Sequence, residues 1–476
     1  MTAVEAPLSF SQEGLWLTEQ MFPSLPQFVL MRAFRLRGGV DGAALSDAVH
    51  ALGARHETLR TSFVVEDGQP RQRVRADVAP RLVRRDLRAE GDPLQVARQI
   101  TEDSAARPFD LVAGPPMRAL LLQLADDDHV LVLAAHHLVI DLWSWPALLE
   151  DLSELYAAQR QGRSPKLADI PMGTTDYARW QRSRADDPEV RDQLAHWRRE
   201  LDGVPSALSL PVDKQRQPGP SRGGGVIHRP LGPDTQAALG ALCKAEGVSV
   251  AMVALAALGA LLARYTREPV LTVGLPVAGD RHRPEVERLV GMFVNVLPAK
   301  VDLRHGPTFR ALVRQAKMTV FDVLINQDVP YELLLRTLLP DSAPGVMHYE
   351  QVALNVRHPE PDALALDGVE VTEFPGGRWY PPGDLTLTVD VADERTDMVW
   401  IYDETLFDPS TIAEMAEQFD ALVSDGLARP DTPVADLRVA APHRRATAPP
   451  HPERAPAAPS PAGSRSGCAA PRTLWR

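Results

Sequence analysis

Two histidines stand side by side at positions 136 and 137, and Asp141 and Ser144 follow them in the stretch HHLVIDLWS. A free imidazole titrates near pH ~6.5, so at neutral pH it can accept a proton and later return it. An aspartate four residues on can hold a loop in shape or offset a neighbouring positive charge. The spacing alone says little, because a solitary histidine more often ends as a hydrogen-bonded core residue. What lifts this stretch above that reading is its setting: an apolar strand runs straight into the histidine pair, and Asp141 and a Ser-Trp step follow. Trp143 and Trp145 are expected to pack in the core, as aromatics beside a strand end usually do. His56 is expected to be a hydrogen-bonded structural residue. The acidic triplet at 126–128 reads as a turn, since three neighbours in a tight loop rarely converge on one ion.

The elements around the pair must hold it in place. Met117–Leu124 and His129–Ala135 are apolar runs separated by the acidic triplet, which predicts a hairpin in a sheet covered on both faces. After Pro146 a helical period returns at Leu148, Leu149, Leu152, Leu155 and Tyr156. The histidines therefore sit at a strand end on the turn into a helix, where side chains can face a cleft while a buried strand fixes the backbone. Upstream, Val29–Arg37 reads as a half-buried strand, and Asp41 can cap a helix with the stripe Leu45, Ala48, Val49 and Leu52. The second half repeats this mixed grammar. Helices are expected near Pro233–Glu246, Val248–Tyr265 and Ser410–Leu427, and strands at Val270–Val277, Leu385–Val391 and Met398–Tyr402. Pro/Gly-rich stretches at Gly162–Thr174 and Gly203–Gly225 hold the expected connection between two α/β halves.

Composition narrows the possibilities. The 476 residues are 44% hydrophobic and 24% charged, as in a globular protein of two or three domain-sized units. The net charge of −12, with no dense run of Lys and Arg, argues against nucleic acid or an anionic membrane as partner. Two cysteines and no CxxC pair leave no basis for a disulfide framework or a cysteine-based zinc site. The N-terminus lacks the pattern of a secretory signal and the longest apolar stretch is short for a membrane span, so the expected compartment is the cytoplasm. Residues 441–476 are rich in Ala, Pro and Arg and cannot bury enough surface to offset the entropy of ordering, which predicts a disordered tail.

HHLVIDLWS resembles the HHxxxDG signature of the condensation domains of nonribosomal peptide synthetases, members of the chloramphenicol acetyltransferase-like superfamily. Other segments match that family's motifs in order: Leu8–Leu17 (LSFSQEGLWL), Arg55–Phe63 (RHETLRTSF), Tyr177–Trp180 (YARW), Val290–Pro298 (VGMFVNVLP) and Asn326–Glu332 (NQDVPYE). Together they span about residues 8–430. The resemblance implies two acetyltransferase-like subdomains in a V-shaped pseudo-dimer with a tunnel between them. The expected division is 1–174 for the subdomain with the histidine motif, 175–440 for the second, and 441–476 for the tail. No second catalytic or carrier module is recognisable, so a free-standing protein is expected.

The resemblance further implies that His137 is catalytic, while His136 supports the strand end. Asp141 is expected to be structural and to pair with an arginine of the other half, for which Arg281 is the candidate. Ser144 is expected to bond within the loop. The implied reaction joins an acyl thioester, delivered on the 4′-phosphopantetheine of a donor carrier protein, to an amine or hydroxyl nucleophile. That nucleophile comes on an acceptor carrier protein or as a soluble amine or alcohol. No metal or intrinsic cofactor is expected. Two departures stand out. Leu142 replaces the family's glycine, which adds bulk near the tunnel and removes easy access to positive φ. An arginine-rich late motif is not recognisable around Pro344–Asn355, and Asp280 precedes Arg281 where the family usually runs from Gly or Asn into Arg. A non-catalytic docking module is an alternative, favoured by Leu142. Epimerisation and CoA-dependent acyl transfer on the same fold are the others.

Overall fold

The computed structural model describes residues 4–23, 28–216, 223–342, 347–358, 364–376, 380–392 and 395–439. The tail at 441–476 and residues 344–346 of the altered late motif lie outside them.

The first half is built on a five-stranded sheet. Its order is Val369–Glu373, Val29–Gly38, Asp128–His136, Met117–Ala125 and Leu82–Asp86. The strand leading to the histidines lies in the middle, antiparallel to both neighbours, with Val29 opposite His136 and Met117 opposite Ala135. Its apolar run is continuous because both faces are covered. Leu131, Leu133 and Ala135 join one cluster with Phe34 and Leu148, while Val130 and Val132 join another with Leu87 and Ala97. Each fully buried leucine of this kind contributes about 1.5–3 kcal/mol, so the strand end has little freedom to move. The acidic triplet forms the expected turn, and Asp128 pairs with Arg35 at 2.6 Å. Asp41 caps the helix Gly42–Arg55 by accepting from the amides of Ala43 and Ala44.

The second half carries a six-stranded sheet in the order Asn295–Asp302, Val270–Val277, Val352–Arg357, Leu385–Ala392, Arg395–Asp403 and Gly224–Pro230. The Ala-rich helix Val250–Thr266 is fully buried from Met252 to Leu262, in one cluster with Leu271, Leu297, Leu387 and Phe419. Among the described residues no single helix is long and apolar enough to cross a membrane.

The chain does not stay on one side after residue 174. The strand Val369–Glu373 returns to pair with Val29–Gly38, and Leu364 and Leu366 enter the first half's core. No periodicity in the sequence announces this return, since a five-residue edge strand with two glutamates looks like any polar loop.

Candidate active site at the histidine turn

The middle strand ends at His136, and the chain turns through His137–Ile140 before a short 3-10 turn, Leu142–Ser144, leads into the helix Trp145–Gln161. The His137 amide donates to the Phe28 carbonyl at 2.7 Å, which continues the strand pairing into the turn. The His137 Nδ1 lies 2.8 Å from the Ile140 carbonyl oxygen. A carbonyl can only accept, so Nδ1 carries the proton and the neutral ring presents Nε2 as a bare acceptor. Nε2 has no protein partner among the described residues and is not sealed in the interior. Burial pushes the His137 pKa below the ordinary histidine value, against the opposing pull of the Ile140 carbonyl and the Asp141 charge. The ring is thus neutral at neutral pH, in the tautomer that a general base requires.

His136 is held in the opposite tautomer. Its Nδ1 accepts the Leu138 amide at 3.1 Å, and its Nε2 faces Glu19 at 3.9 Å. The ring is 2% exposed, between Phe28 and Phe109. It supports the turn and has no open nitrogen.

Asp141 is completely buried and joins the two halves. Its Oδ1 accepts from the Ser144 amide and from Arg281 Nη2, both at 2.9 Å. Its Oδ2 accepts from the amides of Phe293 at 3.0 Å and Val294 at 3.2 Å. Ser144 Oγ lies 2.8 Å from Asp141 Oδ1 and 2.9 Å from the Gly291 carbonyl, and donates to one at a time. It accepts from the Gly291 amide and from Arg281 Nη2. Arg281 Nη1 donates to the carbonyls of Leu289 and Glu287, and its guanidinium stacks on Phe293 with 4.8 Å to the ring centre. The close approach depends on Gly279 (φ +63°), where a Cβ would stand 2.0 Å from the Phe293 carbonyl oxygen. The sequence pattern therefore selects Arg281 as the partner of Asp141, despite the inserted Asp280.

The dispersed segments converge on this one turn. Gln12, inside the capping box of the helix Phe10–Met21, donates to the Leu138 carbonyl at 3.0 Å. Thr58 donates to the Val139 carbonyl at 3.2 Å, while Arg55 and His56 both hold Asp151 on the following helix. Asn295 ties Val290–Pro298 to the late segment by donating to Val329 and accepting from the Tyr331 amide. Gln12, Thr58, Phe293 and Ile140 are positioning residues that single-residue reasoning passed over. Their signal lay in belonging to the matched segments.

Two expectations need correction or refinement. Trp145 is core, at 2% exposed, but Trp143 is not, at 39%. The reason is geometric, because the 3-10 turn points residues 142 and 143 outward while Asp141 and Ser144 point in. Leu142 is half exposed and is not in the left-handed region, so this turn does not need a glycine's backbone freedom. Separately, Asp280, His282 and Asp328 approach within 4.8 Å of one another. Arg283 bonds both carboxylates, at 3.2 and 3.4 Å, so their charge is met from within the chain.

An α/β protein of two acetyltransferase-like halves, cross-linked beneath a histidine with one open nitrogen, is the class that fold and site define. The family model described as Condensation domain matches residues 2–447, and the chain belongs to that family. It is 36% identical over 91% of its length to a linear gramicidin synthase polypeptide of Brevibacillus parabrevis. It is 33% identical over 91% to the phosphinothricin tripeptide synthetase PhsC of Streptomyces viridochromogenes. The chain spans only 8% of the first relative and 40% of the second. The X-domain from teicoplanin biosynthesis superposes with a TM-score of 0.83 at 27% identity, covering 91% of this chain and 97% of that one. The first condensation domain of the calcium-dependent antibiotic synthetase superposes at 0.75 with 22% identity, which speaks for the fold. Domains of this family belong to nonribosomal peptide synthesis, are generally amide-forming acyltransferases and work with carrier-protein domains.

Proposed function

We propose that this chain transfers an acyl group from the phosphopantetheine thioester of a donor carrier protein to an amine, or in a variant of the same chemistry a hydroxyl, with His137 as the catalytic residue. The observation that carries this reading is the bond from Nδ1 to the Ile140 carbonyl, which leaves Nε2 bare and the ring neutral. In the step, the nucleophile's nitrogen or oxygen bonds to the thioester carbonyl carbon while Nε2 takes its proton. The C–S bond then breaks, and the proton passes to the departing thiolate of the carrier. The chain's own contribution is position and proton transfer, and general-base action typically supplies a factor of about 10²–10⁴. Arg281 and Asp141 do not touch the reacting atoms; they fix the turn that aims His137. No metal or resident cofactor has a part in this scheme.

The test is to load carrier proteins with a panel of acyl groups, offer amine and alcohol acceptors, and follow product by mass spectrometry. His137→Ala should lower product formation by about 10²–10⁴-fold while the fold is kept. Undiminished product in that variant would sink the base role.

A second reading is recruitment without catalysis. The observation favouring it is the similarity to the X-domain, one structure of which is a complex with OxyB, superposing at a TM-score of 0.80 with 28% identity. No product with any donor and acceptor pair, together with measurable carrier binding, would favour it. The intact His137 with its open Nε2 stands against it.

A further inference from the structure

Arg281 has two acids within its neighbourhood, Asp141 across the interface and Asp280 beside it in the chain, yet it bonds only the first. Asp280 is engaged elsewhere. Its Oδ2 accepts the Tyr177 hydroxyl at 2.8 Å and its Oδ1 accepts Arg283 Nε at 3.2 Å. The Tyr177 hydroxyl in turn accepts Gln181 Nε2 at 2.9 Å, and Gln181 Oε1 accepts the Phe10 amide at 2.9 Å. The tyrosine is thus locked by the opening helix. Its ring also packs edge-on against Phe293, 4.7 Å between centres, the same ring on which Arg281 stacks. Tyr177 feels the charges of Asp280, Arg281 and Asp141 together, which places all three around one hydroxyl. One donor in this cluster is unspent: Arg281 Nε is buried without a hydrogen-bond partner. A freed Asp280 carboxylate would find it, because a buried, unpaired donor is costly and a neighbouring carboxylate would satisfy it.

We propose that Tyr177 is a positioning residue that holds the Asp280 carboxylate away from Arg281, so that Arg281 stays committed to Asp141 and the histidine turn keeps its shape. The matched segment YARW then has a definite task, and the inserted Asp280 is harmless only because of it. This deepens the acyl-transfer reading, though its first test needs no turnover.

The charged and titratable groups around His137 are Asp141 on its own turn and His136 before it. Glu19 of the opening helix and Arg118 of the neighbouring strand act on His136, and Arg281 neutralises Asp141 from the other half. If Arg281 is drawn off by Asp280, Asp141 is less neutralised and favours protonated His137 more strongly. The experiment is a pH titration of the His137 ring by NMR on the full chain with labelled histidine, assigned by the loss of its signal in His137→Ala.

Tyr177→Phe should move the His137 midpoint upward. Tyr177→Phe combined with Asp280→Ala should return it to the wild-type position, and Asp280→Ala alone should leave it there. An unmoved midpoint in Tyr177→Phe, or one that stays raised in the double variant, overturns the proposal. If Tyr177→Phe does not fold, the double variant should fold where the single does not; failure of both also overturns it. With a donor and acceptor pair that the wild type turns over, Tyr177→Phe should lower kcat by about tenfold to a hundredfold with little change in KM, and deleting Asp280 should recover it. Because the titration is read without substrate, its failure is separable from a failure of the acyl-transfer reading.

Discussion

The molecule builds the same strand-to-helix corner twice, and only one of them is equipped for chemistry. In the first half, Asp128–His136 lies between Val29–Gly38 and Met117–Ala125. In the second, Arg395–Asp403 lies between Gly224–Pro230 and Leu385–Ala392. The registers correspond: Val29 faces His136 as Gly224 faces Asp403, and Met117 faces Ala135 as Leu385 faces Tyr402. Both central strands lead into long helices, Trp145–Gln161 and Pro409–Ala428. At the second corner Asp403 satisfies itself locally, accepting the Thr405 amide at 2.8 Å and the Thr405 hydroxyl at 2.6 Å. At the first, Asp141 is satisfied largely by the opposite half, through Arg281, Phe293 and Val294. A corner closed by its own residues is a structural turn. A corner that depends on the far half leaves its histidine at the seam, where a substrate between the halves could meet it.

The largest effect should come from breaking this contrast at its aspartates. Asp141→Ala leaves the Arg281 guanidinium buried and uncompensated, a defect that costs about 3–5 kcal/mol. Asp403→Ala removes a local turn bond and should cost about 1 kcal/mol. Urea unfolding of the two variants measures both, and equal losses would show that the corners are energetically alike.

Acid should separate the corners next. Burial lowers the pKa of both His136 and His137 in the folded chain. On acidification the unfolded chain therefore takes up these protons first. Stability is kept above the ordinary histidine range and falls as pH drops through it toward the depressed folded values. The second corner carries no imidazole, so His136→Asn should flatten that slope in denaturation curves taken across the same pH range. His137 also predicts that activity persists to lower pH than an unperturbed histidine would allow.

The smallest effect on stability belongs to Leu142. It is half exposed and outside the left-handed region, so Leu142→Gly should change stability by no more than about 1 kcal/mol. If its bulk excludes large acceptors, the glycine variant should accept a broader set in the carrier-loaded assay. Unchanged scope would show that the side chain points away from the path of the acceptor.

Much of this was legible beforehand. The apolar strand ending in a histidine pair, the hairpin turn at the acidic triplet, the Asp41 cap and the helix Pro233–Glu246 all follow from local rules of burial period, turn chemistry and capping. Such rules act within a few residues, so a single sequence expresses them directly. The histidine pair itself came with its likeness to a family, and with it the pairing of Asp141 with Arg281 across 140 positions.

Tertiary structure alone decided the rest. The strand Val369–Glu373 crosses back to the first sheet, and its polar five residues carry no sign of their partner. The tautomers of the two histidines were fixed by which carbonyl and which amide each nitrogen met, contacts set by the fold of the turn. The exposure of Trp143 beside the burial of Trp145 depended on a 3-10 turn that no hydrophobic period describes. The bond from Tyr177 to Asp280 joins residues 103 positions apart, in segments whose spacing carries no record of contact. Local propensity chose the elements and the reactive side chain, while the proton on His137 and the open face of Nε2 were set by groups that only folding brings together.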